Sequence, residues 1–188
     1  MNLPNRITLS RIFLAFIFLI FFYMPQLYAR PIAFFIYVLA ILSDIYDGYL
    51  ARKTGVITGF GKFFDPLADK ILVTIIFLVL IESGYLKAWI IALILVREFL
   101  ITGMRTLAAY KGIAIQASRL GKLKTIFQMS LTTWALVVCL FPNLMLYWIP
   151  LNYQMGIIDF LAYTSLLLTY LSGYDYIVKS KKIFAGDI

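Results

Sequence analysis

The chain has 188 residues, a length that suits one domain, and 63% of them are hydrophobic against only 14% charged. With a mean hydropathy of +0.92, this balance excludes an ordinary water-soluble globular domain and points to a membrane protein. The net charge is +8 and there is no histidine, so His-based acid–base chemistry is excluded and any metal site is left to oxygen ligands.

The positive excess of so apolar a chain belongs to loops facing an anionic membrane surface rather than to nucleic acid. The one cysteine, Cys139, lies inside an apolar run and reads as a small core residue. Arg6 and Arg11 precede the first apolar run, but no small-residue cleavage pattern follows it, so the run reads as a span rather than a cleavable signal.

A spanning helix needs about 20 mostly apolar residues. Six runs qualify in chain order: 7–28, 31–52, 66–85, 87–110, 124–147 and 155–178. They predict one all-α membrane domain over residues 1–188 with six transmembrane helices. The connections near 29, 86 and 150 are short, while those at 53–65 and 111–123 are longer, polar and glycine-bearing. Arg6, Arg11, Arg52, Lys53, Lys62, Lys70, Lys111, Arg119, Lys122, Lys124, Lys179, Lys181 and Lys182 fall on one side of such a bundle, and Arg30 and Lys87 on the other. The asymmetry predicts that both termini are cytoplasmic. Tyr28, Tyr85, Trp89, Tyr147 and Trp148 sit at run ends, where interfacial aromatics belong.

With that orientation the second run ends, and the third begins, on the cytoplasmic side. Between them lies DIYDGYLARKTGVITGFGKFFDPLAD, residues 44–69, which holds four of the nine acids in the chain. Asp44 and Asp47 are three apart and Asp65 and Asp69 four apart, so each pair shares a helical face. Asp65-Pro66 reads as an N-cap followed by a proline at the first helical position. Two such faces turned toward each other make an all-oxygen cage for a hard divalent cation. Ionisable residues within spans are costly, and their presence marks a functional site. The plainer alternative pairs each Asp with a nearby Arg or Lys. Gly48, Ala51 and Gly61 let a ligand or a second backbone approach closely, and Arg52 can pair with a diphosphate or serve as a span-end charge.

This stretch resembles the CDP-alcohol phosphatidyltransferases, membrane enzymes with six spans. Their pattern is D-x-x-D-G-x-x-A-R, eight residues, then G-x-x-x-D-x-x-x-D, and every fixed position is filled by Asp44, Asp47, Gly48, Ala51, Arg52, Gly61, Asp65 and Asp69. The resemblance implies an active site at the cytoplasmic side of the bundle. There Asp44, Asp47, Asp65 and Asp69 hold a pair of divalent ions, Mg²⁺ or Mn²⁺, and Asp69 also serves as general base. It further implies a CDP-diacylglycerol site lined by Gly48, Ala51, Arg52, Thr58 and Gly61 and closed from the first span by Asn5 and Thr8. A homodimer in the inner (cytoplasmic) membrane completes what it implies.

The motif fixes the donor and leaves the acceptor open. VREFLITGMRTL puts Arg97, Glu98 and Arg105 in the fourth run, with Arg97 and Arg105 about two turns apart. Arg105, Lys122 and Lys124 can converge on an anion such as the phosphate of a glycerol phosphate, with Arg97 sharing the face. Alternatively the loop lysines serve only orientation, and Arg97 pairs with Glu98 or an Asp. The runs NLPNRITLSRI, GKFFDPLADKILV, VREFLITGMRTLAA, LGKLKTIFQM and LSGYDY are similar to the branch of the family that uses sn-glycerol 3-phosphate as acceptor. That similarity implies a glycerol-3-phosphate site formed by Arg97, Arg105, Lys122 and Lys124. A relative using phosphatidylglycerol or an inositol phosphate is the nearest alternative. A divalent-cation transporter is a remote one, since it has no use for Gly48, Ala51 and Arg52 at these offsets.

Overall fold

The computed structural model describes residues 3–54, 59–110 and 118–184, and every regular element in them is helical. Six long helices, α1 (Leu3–Tyr23), α2 (Ala29–Thr54), α3 (Gly59–Glu82), α4 (Ala88–Tyr110), α5 (Arg119–Leu140) and α7 (Leu151–Phe184), are accompanied by a short α6 (Pro142–Trp148). The 21 residues of α1 extend about 30 Å, the thickness of a bilayer's hydrocarbon core.

Local chemistry explains the helix ends. Gly84 takes a φ of 79°, a left-handed conformation that ends α3, and Tyr85 N–H then reaches back to the Leu80 carbonyl at 2.9 Å. Ser118 caps α5 by accepting from Gly121 N–H at 3.1 Å. Pro142 has no N–H to continue the α5 ladder, so that helix stops at Leu140 and a new one starts at the proline. The expected fifth run, 124–147, is therefore divided between α5 and α6, and α5 also starts earlier, at Arg119. A second difference lies at Asp65-Pro66, which stands inside α3 and not at its N-cap. Proline's φ is already helical, and its missing N–H removes one bond, to the carbonyl of residue 62, without ending the helix.

Contacts set the directions of the helices. Phe34 meets Phe141 at 5.8 Å between ring centroids, and Tyr37 Oη lies 2.7 Å from Thr133 Oγ1, so α2 and α5 run antiparallel. The Tyr23 hydroxyl donates to Glu82, which aligns the ends of α1 and α3. Lys87 pairs with Asp159 at 2.9 Å and Arg97 with Ser172 at 2.8 Å, so α4 and α7 run parallel. The ends of α2 and α4 and the beginnings of α3 and α5 consequently gather at one end of the bundle.

The interior is built from Phe18, Tyr37, Phe77, Leu80, Ile94, Leu131, Leu136 and Ile158, with Ala15, Ala33 and Ala40 allowing close helix approach. The outer faces are just as apolar: Phe13, Phe35, Leu78, Leu100, Ile126 and Phe160 all point outward and are exposed. A surface of that kind suits lipid and not water. By length and composition α5 and the 151–178 part of α7 are long and apolar enough to cross a membrane. Over the described residues the protein is all-helical and of membrane-protein character.

Candidate functional site

The acids of the motif lie on two helices. Asp44, Asp47, Gly48, Ala51 and Arg52 occupy the last turns of α2, and Gly61, Asp65 and Asp69 the first turns of α3. Asn5 and Thr8 lie in the first turns of α1, which packs against both α2 and α3. The side chains of all these residues, and Thr58 as a whole, lie outside the described residues.

The cationic side of the site is described in detail. Glu98, on α4, is 15% exposed and receives three cations among the described residues. Lys124 Nζ, from the first turns of α5, lies 2.6 Å from Oε1. Arg97 Nη1 lies 3.0 Å from the same oxygen, and Lys70 Nζ, from α3, lies 3.0 Å from Oε2. The second arm of Arg97 donates to Ser172 Oγ on α7 at 2.8 Å. Its Nε is buried without a hydrogen-bond partner and faces Gly173, where a Cβ would come within 3.0 Å. Ser172 itself donates to the Thr169 carbonyl at 3.1 Å, which holds its oxygen in place for Arg97.

Among the described residues one carboxylate thus gathers three cations from three helices. The α3 member of this cluster is the residue directly after Asp69. Of the four cations expected at an acceptor site, Arg97 and Lys124 are in this cluster. Arg105 and Lys122 are exposed, and no contact joins them to it among the described residues. Tyr176, on α7, is within electrostatic reach of Arg105.

Four participants had no site role in the sequence. Lys70 reads there as an orientation charge, Glu98 only as a possible partner of Arg97, and Ser172 and Gly173 only as part of the run LSGYDY. The signal for Lys70 was its place beside Asp69. Arg11, also counted as an orientation charge, is 1% exposed inside the bundle.

The profile of the CDP-alcohol phosphatidyltransferases matches residues 1–170. The chain belongs to the CDP-alcohol phosphatidyltransferase family. Among its relatives is the CDP-diacylglycerol–glycerol-3-phosphate 3-phosphatidyltransferase of Rickettsia felis, 36% identical over 183 residues, which span 97% of each chain. The protein of the same description from Bacillus subtilis is 35% identical over 95% of each chain. That of Salmonella typhimurium is 36% identical over 72% of this chain and 76% of its own length.

Enzymes of the CDP-alcohol phosphatidyltransferase family depend in general on a divalent metal. The donor set here fits one. α2 and α3 each carry two aspartates on one face, at spacings of three and four residues, and a chain without histidine offers only oxygen ligands of this charge.

Proposed function

We propose that this protein transfers the phosphatidyl group of CDP-diacylglycerol to sn-glycerol 3-phosphate, giving phosphatidylglycerophosphate and CMP for phosphatidylglycerol synthesis. The donor half rests on the eight-position motif, and the acceptor half on the activity for which relatives that match nearly the whole chain are named. The Glu98 cluster is the observation that carries the choice of acceptor. Its three cations, gathered on one carboxylate among the described residues, suit a phosphate monoester, which bears close to two negative charges at neutral pH. A phosphodiester such as phosphatidylglycerol carries one. An inositol phosphate shares the monoester chemistry and is the competing acceptor.

In the proposed site Asp44, Asp47, Asp65 and Asp69 hold Mg²⁺ or Mn²⁺ in a two-metal arrangement. When bound, the metal supplies charge neutralisation at the donor diphosphate. Gly48, Ala51 and Gly61 leave room for the nucleotide, Arg52 pairs with its diphosphate, and Asn5, Thr8 and Thr58 complete the donor site. Arg97 and Lys124, with Arg105 and Lys122 toward the water, bind the acceptor phosphate by charge-assisted hydrogen bonds. Asp69 accepts the proton of the attacking hydroxyl. An aspartate is a weak base, so much of the rate must come from holding the hydroxyl against the phosphorus. The reading includes one domain over residues 1–188, six spans with cytoplasmic termini, the inner membrane as location, and a homodimer.

The deciding assay uses purified protein, CDP-diacylglycerol and a panel of glycerol 3-phosphate, phosphatidylglycerol and an inositol phosphate, with and without Mg²⁺ or Mn²⁺. CMP release that needs both metal and glycerol 3-phosphate is expected. Release driven only by another acceptor would overturn the acceptor, and metal transport without CMP release would overturn the enzyme.

A further inference from the structure

We propose that Glu98 is a positioning residue for the acceptor: it never touches glycerol 3-phosphate, but holds Lys124, Arg97 and Lys70 together as a preformed phosphate receptor beside Asp69. The proposal rests on the acceptor assignment above and adds the residue that makes the receptor possible.

The geometry distinguishes Glu98 from a routine ion-pair partner. Its two oxygens serve cations from three helices, Lys70 of α3, Arg97 of α4 and Lys124 of α5, and Arg97 carries the tie on to Ser172 of α7. Three cations so close repel one another. Lysine ammonium groups ride on flexible four-carbon stems, and without a shared anion each would swing toward water. Glu98 prevents this and still leaves donors over. An ammonium has three N–H bonds and a guanidinium five, more than two carboxylate oxygens can accept. Among the described residues Glu98 meets three cations, where a routine ion pair has one.

Location supplies the functional link. Lys70 follows Asp69 in the chain, so its bond to Glu98 fixes the register of α3 against the cluster. A phosphate bound on Lys124 and Arg97 then sits against the turn of α3 that carries the proposed base.

The test compares Glu98→Gln and Glu98→Asp with wild type, titrating each purified enzyme against CDP-diacylglycerol and glycerol 3-phosphate by CMP release. Glu98→Gln should raise the acceptor KM about tenfold or more, with the donor KM within about twofold of wild type. Glu98→Asp keeps the charge one methylene short and should raise the acceptor KM only about two- to threefold. An acceptor KM that stays the same or falls in Glu98→Gln would overturn the proposal, because charge excess alone would then bind the phosphate. Equal rises in both KM values would also overturn it, since they mark a merely structural residue. If Glu98→Gln does not accumulate, Glu98→Asp decides by the same comparison of its two KM values. Failure of the proposed function shows in wild type, as no CMP release with glycerol 3-phosphate, whereas failure of this proposal shows only in the variants.

Discussion

The Nε of Arg97 on α4 lies 3.0 Å from the point where a Cβ on Gly173 of α7 would stand. Arg97 cannot easily yield there, because its two terminal nitrogens are held by Glu98 and Ser172. Replacing a helical glycine by alanine ordinarily gains about 0.5–1 kcal/mol. Overpacking ordinarily costs about 1–3 kcal/mol, so the clash outweighs the gain. Gly173→Ala is expected to lower the thermal midpoint and raise the acceptor KM. A variant that melts higher than wild type with an unchanged acceptor KM would show that Arg97 is free to move.

Tyr37 is 2% exposed, and its hydroxyl lies 3.1 Å from Thr132 Oγ1 and 2.7 Å from Thr133 Oγ1, joining α2 to α5 inside the bundle. Thr132 keeps the carbonyls of Gln128 and Met129 when Tyr37 is lost. Tyr37→Phe should therefore cost only about 0.5–1.5 kcal/mol, as for one ordinary hydrogen bond. Chemical or thermal unfolding in detergent measures it. A loss above about 3 kcal/mol would mean that Tyr37 holds more of the bundle than this pair of contacts.

Asp69→Asn preserves size and removes both charge and basicity. With a general base removed, turnover should fall at least about 10²-fold. CDP-diacylglycerol should still bind, several-fold more weakly. Stripping the divalent metal from wild type should abolish turnover, with recovery on adding it back. An Asp69→Asn enzyme that turns over normally sends the proton elsewhere and removes the central step of the mechanism.

Arg105 is exposed two turns beyond Arg97 and near Tyr176. Losing a charge-assisted contact of about 1.5–3 kcal/mol in Arg105→Ala should raise the glycerol 3-phosphate KM about 10- to 100-fold. The donor KM should hardly change. An unaltered acceptor KM would confine the phosphate to the Glu98 cluster, with Arg97 and Lys124 as its direct contacts.

Membrane topology is open to labelling. Single cysteines at Lys53 and Lys182, in a Cys139→Ser background, should react only from the cytoplasmic side. One at Asn152 should react only from outside. A cytoplasmic residue 152 breaks the six-span arrangement.

The sequence by itself determined the helical, membrane-suited class of the chain and its family. Hydropathy over about 20 residues and eight fixed positions at fixed spacing are local properties, and no partner is needed to see them. Helix ends were legible only in part. Pro142 does divide two helices and Pro66 does not, although both residues carry the same missing N–H. What surrounds the proline decides whether the chain turns or continues. The charges were legible by sign and not by direction. Lys70, Lys124 and Arg11 count equally with Lys122 in an orientation argument, yet the first two turn inward to Glu98, Arg11 is buried, and Lys122 faces out. Only the tertiary structure decided this, because a long cation points wherever an anion on another helix compensates its desolvation. That anion, Glu98, lies 28 residues from Lys70 and 26 from Lys124 along the chain.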